Sequence, residues 1–308
     1  MKGQKILKNL KYENFATNLI GCLKGCADYF NLNISSSWLF GVSGHAFLMN
    51  IHDEICPSGP YCWNYDPFYN LLANVGLKMV DLGFFHKESD SKDVQEVERI
   101  VRNSIDEGNP CIILNMDNQL IVGYDDTKFI LKPANIEFNN PPSLTYKTWV
   151  EFEKEFHITI FQISQTTPKD DKTAVKEAIQ YAINVAKGPA KNYTMEKYTT
   201  GLAAYDVWMN AINNDFGDSH GHLWNGTVWA ESRHMANRFL FEVGKKFSGK
   251  IEEESNKIRM KYKEIAKNLN LARDRELDKK RKIELLKEAQ KIEKNCVKDL
   301  VSLEKLLN

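Results

Sequence analysis

The chain has 308 residues, 43% of them hydrophobic, with 41 Lys and Arg against 41 Asp and Glu. A formal net charge of zero excludes the basic footprint of a nucleic-acid binder. The length suits one large domain or two smaller ones, and no apolar run is long enough to span a membrane.

The N-terminus, MKGQKILKNLKYENF, is basic but lacks a long apolar core and a small-residue cleavage site, so no signal peptide is expected. Six cysteines without a signal are expected to be reduced thiols of a cytoplasmic protein rather than a disulfide framework. Phe15 to Phe30 is predicted helical, with Leu19, Leu23 and Cys26 recurring at three- and four-residue steps. Cys22 and Cys26 share a face, and Asn31 is the expected C-terminal cap.

Next comes Trp38 to His52, WLFGVSGHAFLMNIH, flanked by Cys22 and Cys26 before it and by CPSGPYC (Cys56, Cys62) after it. Gly41 and Gly44 allow sharp turns, and His45 follows the second. This is the densest cluster of reactive side chains in the chain. As a plain structural element it reads as a buried strand with tight turns and a core histidine.

Tyr65 to Val75 is predicted as a short helix stopped by Gly76, and LKMVDLGFF as a strand. Ser91 to Glu107 is predicted helical, with Val94, Val97, Val101 and Ile105 on one stripe and Gly108 as the stop. CIILNM, QLIVGYDD and KFILKPA form an antiparallel meander, and HITIFQIS a further strand. Beyond Pro168–Lys172 the pattern turns helical, over Thr173 to Lys187, Lys197 to Asn213 and Trp224 to Phe247, and no strand is expected. Glu252 to Asn308 reads as a long charged hairpin with a seam of Leu285, Ala289, Ile292, Cys296, Leu300, Leu303 and Leu307. That seam also suits a short coiled-coil contact and hence a homodimer.

Other clusters favour structural roles. The gap between Cys56 and Cys62 is too long for a common zinc knuckle, even with His45 and His52 nearby. His220, His222 and His234 would need a carboxylate such as Asp215, Asp218 or Glu231 to hold a metal; His220 and His222 are expected in a loop. Arg233 is expected to be solvated, its alternative being a ligand carboxylate or phosphate. No metal, no cofactor, no nucleic acid and no membrane are expected as partners.

The run of a cysteine-bearing helix, then a second helix, then CIILNM/QLIVGYDD/KFILKPA, resembles the papain-like superfamily over about residues 14 to 165. Within it the nearest are the bacteriocin-processing cysteine peptidases and the N-terminal acyltransferase domain of butirosin-biosynthesis protein H. The resemblance implies a papain-like α+β domain over residues 1–167 with an antiparallel sheet. Residues 168–308 would form an all-helical domain ending in the charged hairpin.

It further implies a thiol-dependent acyltransferase or amide-bond enzyme, of a kind found in bacterial natural-product biosynthesis. Its substrate would be a small molecule or a peptidyl or acyl group, the latter held on a carrier protein. Cys22 would be the nucleophile, His45 the base, and Asn18 an oxyanion donor or orienting group. The sequence departs from the family pattern. Counting back from Tyr29 and Phe30 puts the nucleophile position near Asn18. Asp117, Asn118 or Gln119 replaces the histidine, and Lys132 stands where an acid precedes Pro133. The alternative is therefore a non-catalytic small-molecule or peptide binding protein on a degenerate cysteine-peptidase scaffold.

Overall fold

The computed structural model describes residues 4–115, 117–132, 144–146, 158–188 and 196–308. Met116, Pro133 and His157, placed by the sequence at strand ends, lie outside the described residues. The fold is α+β, with an antiparallel sheet and a helical C-terminal region. The chain divides into two units, residues 1–34 with 76–168, and residues 35–75 with 169–308.

In the first unit the sheet runs β3 (Leu77–Phe85), β8 (Ile158–Gln165), β4 (Cys111–Asn115), β5 (Asp117–Tyr124), β6 (Lys128–Lys132), β7 (Leu144–Thr145). β1 (Lys5–Ile6) pairs with the far end of β5, opposite Tyr124 and Gly123, past the point where β4 stops. From Asn118 to Tyr124 every residue of β5 is buried. This is the pattern of a strand covered on both faces.

Helix α1 (Asn18–Tyr29) lies against β5 and buries every residue from Asn18 to Ala27. It ends as expected, with Asn31 at φ 59° in the left-handed region. α4 (Ser91–Asp106) starts where the Asp90 carboxylate accepts from the Lys92 N–H at 2.8 Å, and buries the expected valine stripe on β4 and β5.

The second unit contains the helices α5 (Asp171–Ala186), α6 (Ala203–Asn213), α7 (His220–Lys246), α8 (Lys250–Ala272) and α9 (Lys279–Leu306). Residues 35–75, expected within the α+β domain, pack among these helices instead. The chain passes from one unit to the other at 34/35, 75/76 and 168/169.

The stretch 38–52 is mostly helical, not a buried strand. It holds α2 (Ser36–Val42), a 3₁₀ turn at His45–Phe47 and a three-residue strand, β2 (Asn50–His52). Two local features explain the difference. The Ser35 hydroxyl caps α2 by accepting from the Trp38 N–H at 2.9 Å, and Gly44, at φ 80°, reverses the chain into the 3₁₀ turn. After it, Tyr65 to Val75 forms α3 (Asp66–Leu72) and a 3₁₀ turn, as the Gly76 stop predicts.

Two further details differ from the sequence reading. A short strand, β9 (Tyr198–Thr200), precedes α6 and pairs antiparallel with β2. α7 begins at His220, because the Ser219 hydroxyl accepts from the His222 N–H at 3.0 Å. His222 therefore sits in a helical first turn, not in a loop. α8 and α9 form the expected hairpin, and the seam is buried within its own unit at Leu285, Ala289, Cys296, Leu300, Leu303 and Leu307, with Ile292 half-buried. Among the described residues, no helix is long and apolar enough to cross a membrane.

Candidate functional site

Asn18 is the first residue of α1, and Cys22 lies one turn further along. The hairpin between β4 and β5 brings Asp117 and Asn118 to the start of the central strand. Packing α1 on β5 then joins these residues. The Asn18 amide donates to the Asp117 carboxylate. The Asn18 side-chain oxygen, Oδ1, accepts from the backbone N–H of Asn118 at 3.3 Å and from its side-chain Nδ2 at 2.9 Å. Asn18 and Asn118 are buried, while Asp117 is part-exposed. Among the described residues the Oδ1 of Asn118 is a buried acceptor without a hydrogen-bond partner, as are other side-chain oxygens, those of Asn50 and Asn74 among them.

Cys22 touches the edge of this cluster. Its Sγ donates to the Asn118 carbonyl oxygen at 3.5 Å. The thiol is fully buried and pushed well above its ordinary value, first by burial, then by Cys26 and by the Asp117 carboxylate. A nucleophilic thiol needs the opposite setting, an electropositive and accessible one.

His45 sits in the second unit, 2% exposed, ringed by Phe40, Trp63, Phe68 and Trp229 at 5.9 to 6.3 Å between ring centroids. Its Nδ1 lies 3.5 Å from the Ser232 hydroxyl. Burial, then the nearby Arg233 charge, lowers its pKa to about 3. An imidazole of that basicity stays neutral at neutral pH and is a weak proton acceptor. Of the three residues singled out by the sequence, Asn18 and Cys22 share one helix and one polar cluster. The partners just described for Cys22 belong to the first unit, and those described for His45 to the second.

Arg233 is neither solvated nor open to a ligand. It is 1% exposed, pairs with Glu293 at 2.7 Å, and donates to the carbonyls of Leu48 at 2.6 Å and Ala46 at 3.2 Å. Tyr205 donates to the same Glu293 at 2.5 Å. The polar set thus ties the His45 turn to α6, α7 and α9. A signal for Glu293 was present in the sequence. It falls four residues after Ala289 and three before Cys296, on the apolar seam itself.

His222 is a core residue as well. Its Nδ1 accepts from the Trp208 indole at 3.0 Å and its Nε2 lies 2.7 Å from the Ala272 carbonyl. No group of three or more His, Cys, Asp or Glu side chains among the described residues is placed to hold a metal ion. No protein-family model matches the chain, and no curated protein sequence matches it significantly.

Proposed function

We propose that the chain is a non-catalytic binding protein on a degenerate cysteine-peptidase-like scaffold, taking a small molecule or peptide at the Asn18–Asp117–Asn118 cluster. The observation that carries this reading is the hydrogen-bonded meeting of Asn18 with Asp117 and Asn118. These are the positions at which the resemblance puts the nucleophile and the histidine. Carboxamides and a carboxylate stand there, and neither can act as a thiolate nucleophile or an imidazole base. The burial and raised pKa of Cys22 further favour binding over acyl transfer.

The ligand's chemistry follows from what the cluster offers. Asp117, part-exposed beside the carboxamides that it joins, carries the negative charge of the cluster. The ligand therefore brings a donor, and a cationic amine or amidine complements the carboxylate best. Calorimetric titration of the full chain with a lysine-containing dipeptide amide tests this, with the N-acetylated, uncharged analogue as control. We expect saturable binding by the cationic probe and about tenfold weaker binding by an Asp117→Asn variant, equivalent to about 1.4 kcal/mol. No binding by the wild type, or equal binding by Asp117→Asn, overturns the assignment of the site.

A further inference from the structure

The loop that carries Cys56 and Cys62 takes no part in the proposed site. Of the six free cysteines these two alone are not buried. The loop is held from both ends. Asn50 Nδ2 donates to the carbonyls of Gly59 and Cys62, each at 2.8 Å, and Asn225 Nδ2 donates to the Cys56 carbonyl at 3.0 Å. Two successive turns fold it, with Gly59 N–H on the Cys56 carbonyl at 3.2 Å and Cys62 N–H on the Ser58 carbonyl at 3.0 Å.

This folding brings Cys56 Sγ to the Ser58 hydroxyl and Cys62 beside the Ser58–Tyr198 pair. The Ser58 hydroxyl donates to Cys56 Sγ at 2.7 Å and contacts the Tyr198 hydroxyl at 2.7 Å. The Cys62 thiol lies beside the Ser58 and Tyr198 hydroxyls, which offset part of the upward push that burial gives it. Both thiols therefore flank the Ser58 hydroxyl, in a loop pinned by Asn50 and Asn225. The second cysteine closes a short ring, so attack within the loop has a high effective concentration.

We propose that Cys56 and Cys62 are a reversible dithiol–disulfide pair, oxidised by small-molecule disulfides of the glutathione class, with Ser58 and Tyr198 as donors to the reacting sulfurs. The Cys56 thiol gives its proton to solvent, and the Ser58 O–H stabilises the thiolate. That thiolate attacks one sulfur of the external disulfide. The external S–S bond breaks, and the first leaving thiolate takes up a proton. Cys62 then loses its proton and attacks the Cys56 sulfur. The mixed disulfide breaks and the second external thiol leaves. Two protein thiols are oxidised, one external disulfide is reduced to two thiols, and protons balance.

The test equilibrates the native full chain in glutathione buffers of varied ratio and total concentration. The chain is then alkylated and cleaved at acidic residues, so that residues 55–81, between Glu54 and Asp81 with the Asp66–Pro67 bond uncut, carry the pair alone. The expected result is a fragment lighter by two hydrogens. Its fraction should follow oxidised glutathione over the square of reduced glutathione. Cys22, Cys26, Cys111 and Cys296 should become reactive only after denaturation. Ser58→Ala should slow disulfide formation about tenfold, with Tyr198→Phe as a second variant should that one fail to fold. Cys56→Ser should leave a single glutathione adduct on Cys62. Glutathione adducts on both sulfurs of the wild type, accumulating independently, overturn the proposal. So does an unmodified fragment in a buffer that oxidises a free small dithiol.

Discussion

Acidification from pH 7.5 to 5.0 should destabilise the second unit through two buried histidines. His45 is held at about 3 and His222 at about 4, both chiefly by burial, against an ordinary value of 6.5. In both cases the folded value is depressed, so the unfolded chain binds more protons between the two values. Their stabilising effect is present in full above about pH 6.5. It is lost as the pH falls, down to about pH 3 for His45 and about pH 4 for His222. At pH 5.0 each residue lies about 1.5 units below the ordinary value and still above its folded one. Each therefore costs about 2 kcal/mol, and the pair about 4 kcal/mol. Urea unfolding followed by tryptophan fluorescence reads this, since Trp63 and Trp229 pack directly on the His45 ring. His45→Gln should unfold at lower urea than the wild type at pH 7.5, by about 1–3 kcal/mol, and should lose roughly half of the pH dependence. An His45 ring proton that titrates near 6.5 by NMR, or a pH dependence unchanged in His45→Gln, refutes the reasoning.

Other outcomes follow from the same geometry. Glu293→Leu strands the buried Arg233 guanidinium and should cost about 3–5 kcal/mol in chemical denaturation, whereas replacing both partners with apolar residues should recover much of the loss. Gly44→Ala forces a side chain into the left-handed region, where its Cβ would collide with the Tyr181 ring; a fall of about 2 kcal/mol or more in unfolding free energy is expected. Limited proteolysis should nick the exposed run Thr166–Lys172 before the buried strand β5, as scored by the masses of the first fragments.

The sheet was legible because its strands alternate with clear turn signals. LKMVDLGFF matches β3 residue for residue, and the valine stripe of α4 needed only Asp90 and Gly108 to set its ends. The helical form of 38–52 is not legible in the sequence because its apolar run carries no period. The Ser35 cap and the Gly44 reversal, each a single residue, decide its helical form. Counting back from Tyr29 led to Asn18, and its junction with Asp117 and Asn118 followed from two elements 99 residues apart in sequence meeting in the fold. Cysteine and histidine density marks out His45 in the sequence. Density in sequence does not encode whether an imidazole faces a cleft or an aromatic cage. The Arg233–Glu293 pair escaped notice because a charge on a charged helix reads as solvated unless its place on the apolar seam is counted.

The central claim is that the cluster at the start of α1 binds and does not acylate, and Cys22 provides the most direct test. The native chain is incubated with an activated thioester at pH 7.5, and the site of any acyl group is read by peptide mass. The account predicts no acylation of Cys22 until denaturant is added, since the thiol is buried, protonated and turned toward the Asn118 carbonyl. Saturable, stoichiometric acylation of Cys22 in the native chain, abolished by His45→Gln, would contradict it.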